Sequence, residues 1–157
     1  MASNNDSLNN TLNGDPNNPE GQNPEAQIIQ NSFFGTHFTS RAGEQTAEVF
    51  QDFPIICLYF ASRNSPPCRI FNPVLLNFYR EVNMIKKTFE IIYVPRDQNQ
   101  DGFLSFINQM PWLAIPFEEE ERIMEHKVKY NIKGIPSLVV LGSKGELISL
   151  EGRKEII

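Results

Sequence analysis

The chain has 157 residues, a formal net charge of −5 and two cysteines. Its length predicts one domain, and its acidic balance argues against a nucleic acid or an anionic membrane as partner. The longest apolar runs fall short of the ~20 residues of a membrane helix. Because the N-terminus has no secretory signal pattern and two cysteines cannot form a disulfide-rich scaffold, we expect a reducing, cytoplasmic or nuclear setting.

The first 27 residues are rich in Asn, Pro, Ser, Gly and Gln and contain few apolar side chains. Such a segment cannot bury enough surface to offset the entropy lost on ordering. We therefore predict a disordered tail at residues 1–27, followed by a domain at residues 28–157. Within the domain, residues 32–38 suggest a first short strand or turn, and residues 47–50 suggest a short helical or extended segment.

The apolar run Ile55–Ala61 is typical of a strand that is buried on both faces of a sheet. The residues after it predict a helix over 66–87, with Ser65 as N-cap and Pro66 as first helical residue. Pro73 lies inside this helix and is expected to kink it. Apolar residues at steps of three and four define its predicted buried face, which comprises Ile70, Phe71, Val74, Leu75, Phe78, Val82 and Ile85.

The remaining pattern predicts a strand at 89–94, a polar loop at 95–100, a helix at 102–110, an apolar loop at 111–117, a helix at 118–130, a strand at 138–141 and, after a hairpin turn at 143–146, a strand at 147–150. Strands that alternate with helices indicate an α/β domain. The last two strands are expected to form an antiparallel edge pair.

The segment Ser65-Pro66-Pro67-Cys68-Arg69 lies where the first buried strand turns into the long helix. A helix N-terminus presents unpaired N–H groups and the positive end of the helix dipole, which lower the pKa of a thiol placed there. In the Cys-x-x-Cys form of this turn, the first cysteine attacks a disulfide and the second resolves the mixed disulfide. In this chain Ser65 occupies the first position and Cys68 the second.

Together with Tyr59-Phe60-Ala61-Ser62, this turn resembles the thioredoxin fold and, more closely, its tryparedoxin and nucleoredoxin branch. Three further stretches support the resemblance: Ile-Tyr-Val-Pro-Arg-Asp at 92–97, Met-Pro-Trp-Leu-Ala-Ile-Pro-Phe at 110–117 and Gly-Ile-Pro-Ser-Leu-Val-Val-Leu at 134–141. The resemblance covers about residues 33–153. It implies a three-layer α/β fold with a central mixed sheet flanked by helices, and thiol–disulfide exchange on protein or small-molecule disulfides.

By position, the resemblance assigns Ser65 to the attacking cysteine and Cys68 to the resolving cysteine. It matches Ile135-Pro136 to the family's cis-proline, whose loop faces the motif and offers backbone groups to an extended substrate. The implied substrate-binding residues are Asn64, Pro66, Pro67, Arg69, Trp112, Ile135 and Pro136. Of these, Trp112 is expected to support the motif more than to touch substrate. The resemblance implies no cofactor and no metal.

Because serine is protonated at neutral pH and forms no disulfide, the substitution at Ser65 predicts impaired or absent dithiol activity. The strand Ile55–Ala61 also offers no carboxylate to take a proton from Cys68. Three alternatives remain open: a redox-inactive protein-binding module, a monothiol reductase that uses Cys68 alone, and a non-functional truncated paralogue. The truncated-paralogue alternative arises because proteins of the family continue through a final helix beyond the position that matches residue 157. Without that helix, an apolar face of the sheet would lack its cover.

The other reactive side chains have simpler interpretations. Cys57 lies in the middle of a predicted strand and is expected to be a core residue. The spacing of His37 and His126 relative to the cysteines is not that of a zinc site. The protein is expected to be a monomer whose partner is a protein or a small-molecule thiol or disulfide.

Overall fold

The structure is a computed structural model that describes residues 33–50 and 52–156. In chain order the elements are β1 (His37–Ser40), β2 (Gly43–Thr46), a 3-10 helix (Ala47–Phe50), β3 (Ile55–Ala61), α1 (Pro66–Asn83), β4 (Phe89–Pro95), α2 (Gln100–Ile107), β5 (Leu113–Ala114), α3 (Glu120–Lys129), β6 (Ser137–Gly142), β7 (Leu147–Ser149) and α4 (Gly152–Ile156). The predicted tail at 1–27 lies outside the described residues.

Across these ranges, seven strands form one sheet in the order β2-β1-β5-β4-β3-β6-β7. The strand β3 pairs in parallel with β4 and antiparallel with β6, and β4 pairs in parallel with β5. The pairs of β1 with β2, β1 with β5 and β6 with β7 are antiparallel. The sheet is therefore mixed, and the predicted three-layer α/β fold is confirmed.

Two apolar cores cover the two faces of the sheet. Under α1 and α2 the core includes Cys57, Tyr59, Cys68, Phe71, Leu75, Tyr93, Phe103, Phe106, Met110, Trp112 and Leu138. Under α3 and the N-terminal segment it includes Phe34, Phe38, Phe50, Ile56, Leu58, Phe60, Ile92, Val94, Ile123, Tyr130 and Val139. Alternate residues of β3 enter opposite cores, as expected for a strand with both faces covered.

Helix α1 begins at Pro66 as predicted but ends at Asn83, before the predicted end at residue 87. The side chain of Asn83 donates to the carbonyl of Phe89 and accepts from the N–H groups of Thr88 and Phe89, at 2.8–3.1 Å. These bonds fold the chain back into β4. Pro73 lies inside α1, where it cannot donate a hydrogen bond to the carbonyl of Arg69.

The predicted buried face of α1 is partly wrong. Ile70 and Val74 are 73% and 42% exposed, and Ile85 lies beyond the helix and is 95% exposed. Phe71 and Leu75 are buried as predicted, and Phe78 and Val82 are partly buried against the core. The buried face also includes Cys68 and Asn72, which a hydrophobic pattern omits.

Three further elements depart from the sequence-based expectations. The apolar loop at 111–117 contains the short strand β5, which hydrogen-bonds into the sheet beside β4. The first strand begins only at His37 and forms a hairpin with β2. Helix α2 starts earlier than predicted because the Asn99 side chain caps it, accepting from the N–H of Gly102 at 2.8 Å. The predicted hairpin between β6 and β7 is confirmed.

Helix α4 packs on the same face as α1. Gly152 allows the approach, since a β-carbon there would lie 2.9 Å from the carbonyl oxygen of Leu138 and 2.8 Å from Val140 Cγ2. A partly open apolar cavity of about 290 Å³ lies between α1, β4, β6 and α4.

The carboxyl side chain of Glu90, in β4, is buried. Its Oε1 accepts hydrogen bonds from Tyr79 Oη at 3.0 Å and from the N–H of Ile91 at 2.9 Å. Burial raises the pKa of Glu90 to about 7, against the smaller lowering effects of these two bonds and of Lys87. Glu90 therefore titrates near neutral pH.

We predict that Glu90 makes the fold less stable as the pH rises. Its folded-state pKa of about 7 exceeds the ordinary value of 4.5, so between these values the folded protein binds more protons than the unfolded chain. The free energy of unfolding should fall across this window by on the order of 3 kcal/mol. Glu90→Gln, which keeps the acceptor oxygen, should abolish that part of the slope in urea unfolding measured between about pH 5 and about pH 8.

The exposed Glu81 supplies the control, because Glu81→Gln should leave the slope unchanged. His126 acts in the opposite direction: burial, then Arg122 and Lys129, lower its pKa to about 4. Its contribution to stability is therefore lost as the pH falls from 6.5 toward 4. That effect is common to all variants and cancels in the comparison. An unchanged slope in Glu90→Gln would contradict the assignment.

Candidate functional site

The turn after β3 lies between two neighbouring chain segments at the carboxyl edge of the sheet. In the pairing register, Ala61 at the end of β3 lies opposite Pro95 of β4, and Phe60 lies opposite Ser137 of β6. The peptide bond just before Ser137, Ile135–Pro136, is cis. The sheet therefore brings the Ser65–Cys68 motif and the cis-proline loop together, as the resemblance implied.

Backbone hydrogen bonds close the turn and start the helix. The N–H of Ser65 donates to the carbonyl of Ser62 at 3.2 Å, and the N–H of Arg69 donates to the carbonyl of Ser65 at 3.1 Å. Ser65 has the extended backbone of an N-cap residue, but its hydroxyl makes no capping hydrogen bond. Because Pro66 and Pro67 have no N–H, the first N–H that α1 can offer belongs to Cys68.

Asp97 holds the turn in place from the end of β4. Its Oδ1 accepts from the N–H of Arg63 at 2.8 Å and from Ser62 Oγ at 3.3 Å. Its Oδ2 accepts from Tyr93 Oη. This role of Asp97 was not predicted from the sequence. The available signal was an acid just beyond a strand parallel to β3, since the ends of parallel neighbours meet at one edge.

Cys68 is fully buried at 0% exposure, in the core under α1. It shares this core with two buried tyrosines, Tyr59 and Tyr93. Burial raises the pKa of both phenols well above the ordinary value, and the charge and hydrogen bond of Asp97 raise that of Tyr93 further. Both therefore stay protonated at neutral pH. Tyr59 Oη has no hydrogen-bond partner among the described residues.

Cys57 is a core residue, as predicted. It is buried in β3 as a free thiol, and burial, then the charges of Glu155 and Glu90, raise its pKa to about 12. Cys57 is therefore not a nucleophile at neutral pH. Within residues 33–50 and 52–156, no group of three His, Cys, Asp or Glu side chains is arranged to hold a metal ion.

The residues assigned to the substrate surface differ in exposure. Asn64, Pro66, Pro67 and Arg69 are exposed, Ile135 is half-buried and Pro136 is buried. Trp112 is 2% exposed, with its ring 6.1 Å from that of Tyr59 and 5.2 Å from that of Tyr79. Its indole therefore packs behind the motif and does not reach the surface.

β3 has no carboxylate of its own, and two acids lie on the neighbouring segment that contains β4. Glu90, the buried acid of β4, is at the opposite end of β3, since it pairs with Ile56 in the register. Asp97 is the acid at the turn. Its hydrogen bonds fix the backbone just before Ser65 and orient the Tyr93 phenol, whose oxygen lies 3.0 Å from the carbonyl oxygen of Ala61.

Comparison with known proteins finds similarity to thioredoxin-like proteins. A family model described as thioredoxin-like matches residues 54–147. A nucleoredoxin from Bos taurus is 40% identical over 100 residues, which are 64% of this chain and 23% of that protein. A tryparedoxin from Trypanosoma brucei brucei is 32% identical over 123 residues, which are 78% of this chain and 84% of that protein.

Solved structures with a similar fold belong to the same group of proteins. A tryparedoxin II solved in complex with glutathionylspermidine matches with a TM-score of 0.74 and 28% identity, over 82% of this chain and 90% of that one. The chain spans about a quarter of the length of the nucleoredoxin it matches. Across the described ranges, no helix has the length and apolar character needed to cross a bilayer.

We predict that Asp97→Ala loosens the turn, because it removes the acceptor for two turn bonds and for the Tyr93 hydroxyl. The expected loss of unfolding free energy is about 1–3 kcal/mol. Amide hydrogen exchange at Arg63 should also accelerate. Asp101→Ala is the matched control, since Asp101 is an exposed carboxylate in the first turn of α2. Equal exchange rates at Arg63 in both variants would contradict the assigned role.

Proposed function

The chain belongs to the thioredoxin-like family, and from this membership we propose that it binds thiol or disulfide substrates at the Ser65–Cys68 turn without performing two-cysteine exchange. The proposal rests on the difference in burial between the two motif positions, Ser65 and Cys68. Ser65 stands at the attacking position at the start of α1, while the thiol of Cys68 is fully buried behind it.

Ser65 prevents the first chemical step of thiol–disulfide exchange. Exchange begins when a thiolate attacks one sulfur of a disulfide, forming a mixed disulfide and releasing the other sulfur as a thiolate. The Ser65 hydroxyl is not ionised at neutral pH and its oxygen cannot enter a disulfide. Without the mixed disulfide, Cys68 has no bond to resolve. The substitution therefore stops the reaction at its first step.

The surroundings that would activate a thiol are retained. The attacking position caps an 18-residue helix, whose dipole stabilises a negative charge at that end. Asp97 fixes the preceding backbone, and Cys68 shares its core with Tyr59 and Tyr93, whose phenols stay protonated at neutral pH. These features support the view that only the attacking sulfur is missing.

Burial argues against the alternative in which Cys68 acts alone as a monothiol reductase. A sulfur at 0% exposure cannot reach a substrate disulfide unless the turn opens. In the two-cysteine reaction the same burial is no obstacle, because the attacking residue brings the substrate sulfur to the turn. We therefore assign Cys68 the resolving position.

The relatives indicate the class of substrate. The matching tryparedoxin II was solved with glutathionylspermidine, and we propose a protein or small-molecule thiol or disulfide for this chain. We propose further that it acts as a monomer, without a cofactor and without nucleic acid or membrane partners. A reducing compartment such as the cytosol or nucleus suits its two free thiols.

The proposal predicts that Ser65→Cys creates a protein-disulfide reductase. In an insulin reduction assay with a dithiol as reductant, wild type should match the background without protein. Ser65→Cys should exceed wild type roughly tenfold or more, because it restores the attacking thiolate. The double variant Ser65→Cys with Cys68→Ala is the control, and it should accumulate mixed disulfide with little turnover. Equal rates for wild type and Ser65→Cys would refute the proposal.

A further inference from the structure

A cleft of about 370 Å³ opens beside the cis-proline loop, and its walls are cationic. It is lined by Arg96, Lys127, Ile132, Lys133, Gly134 and Ile135. Three of these six residues are positively charged and none is acidic. This lining contrasts with the whole chain, whose net charge is −5. We call this feature the cationic cleft.

The three charges of the cationic cleft are not used within the fold. The ion pairs between described residues join Lys87 with Asp52, Arg122 with Glu119, and Lys154 with Glu151. None of the side-chain hydrogen bonds found over the same ranges involves Arg96, Lys127 or Lys133. A cluster of like charges without partners costs free energy through repulsion, and an anion bound between them would remove that cost.

Nearby acceptors already make other hydrogen bonds. The last-turn carbonyls of α3 accept backbone hydrogen bonds, including one from the N–H of Ile132 to the carbonyl of Lys127 at 3.0 Å. The carboxylate of Asp97, next to Arg96 in the chain, is held by Ser62, Arg63 and Tyr93. Two acidic residues of α3, Glu120 and Glu121, lie in its first turn, and the third, Glu125, is in the middle of the helix and does not line the cleft.

The cleft adjoins the motif through the sheet. Arg96 follows the end of β4, and its N–H donates to the carbonyl of Ala61, the last residue of β3, at 2.9 Å. On the other side of β3, Ile135 directly precedes the cis-proline Pro136. The following residue, Ser137, pairs with Phe60. The cleft therefore opens at the edge of the sheet from which the turn containing Ser65 leaves β3.

We propose that the cationic cleft binds the carboxylates of a small anionic thiol or disulfide and so selects the substrate of the neighbouring turn. The volume is near the lower end of the ~300–1,000 Å³ typical of small-molecule sites, which suits a ligand of tripeptide size. Two or more carboxylates match three cations at short range. This inference rests on the proposed function, because it names the substrate class of that site.

The test measures binding without exchange. Glutathione disulfide, which carries four carboxylates, is titrated calorimetrically into the full chain bearing Cys68→Ala, so that no mixed disulfide can form. Binding should saturate, weaken with added salt, and fall about tenfold in affinity when Lys127→Gln and Lys133→Gln are introduced together. Lys86→Gln with Lys144→Gln is the matched control. It removes the same charge from two exposed lysines, one before β4 and one in the β6–β7 turn, at the opposite edge of the sheet.

A second probe tests the charge of the ligand itself. The tetraethyl ester of glutathione disulfide keeps the disulfide and the peptide but lacks the carboxylates, so it should bind at least about tenfold more weakly. Equal binding of disulfide and ester, equal losses in the two double-lysine variants, or no binding up to about 10 mM would each overturn the inference. Because this readout needs no turnover, it can succeed or fail independently of the reductase assay of Ser65→Cys.

Discussion

The pairing of β3 with β4 on one side and β6 on the other determines how this site is built. All seven residues of β3 are in register with β4, and six of them pair with β6. Because β4 is parallel and β6 antiparallel, the end of β3 meets the end of β4 and the beginning of β6. Those segments contain Asp97 and the cis Ile135–Pro136 bond. The neighbouring segments therefore set the position of the turn, independently of its own side chains.

Burial on both faces of this strand also separates the two motif residues. Cys68 begins the buried stripe of α1 and is covered by the core, whereas Ser65 stands outside the helix as its cap. In a two-cysteine site this arrangement gives the attacking and resolving thiols their different tasks. In this chain Ser65 is at the outer position and Cys68 at the buried one. The substrate surface therefore has one motif sulfur, and a bound substrate cannot reach it.

The fold and the motif could be predicted largely from the sequence, because both depend on local patterns. The apolar run of β3, the prolines after Ser65 and the Gly-Ile-Pro segment each indicate one structural feature. What could not be predicted depends on contacts between distant segments. Asp97 is 34 residues from Arg63, and the cationic cleft combines the end of β4 with the end of α3 and the loop after it. The buried face of α1 was predicted only in part, because the core accepts Cys68 and Asn72, which a hydrophobic pattern omits, and leaves Ile70 and Val74 exposed.

The central claim, that the remaining motif thiol is inaccessible in the folded protein, can be tested by alkylating the native chain with iodoacetamide at neutral pH and following each cysteine by peptide mass spectrometry. Cys57, buried in β3, provides an internal reference for a thiol of the core. The account predicts that Cys68 reacts as slowly as Cys57 and that both react readily once the chain is unfolded. Rapid labelling of Cys68 in the native protein, with Cys57 untouched, would contradict it and favour a monothiol enzyme.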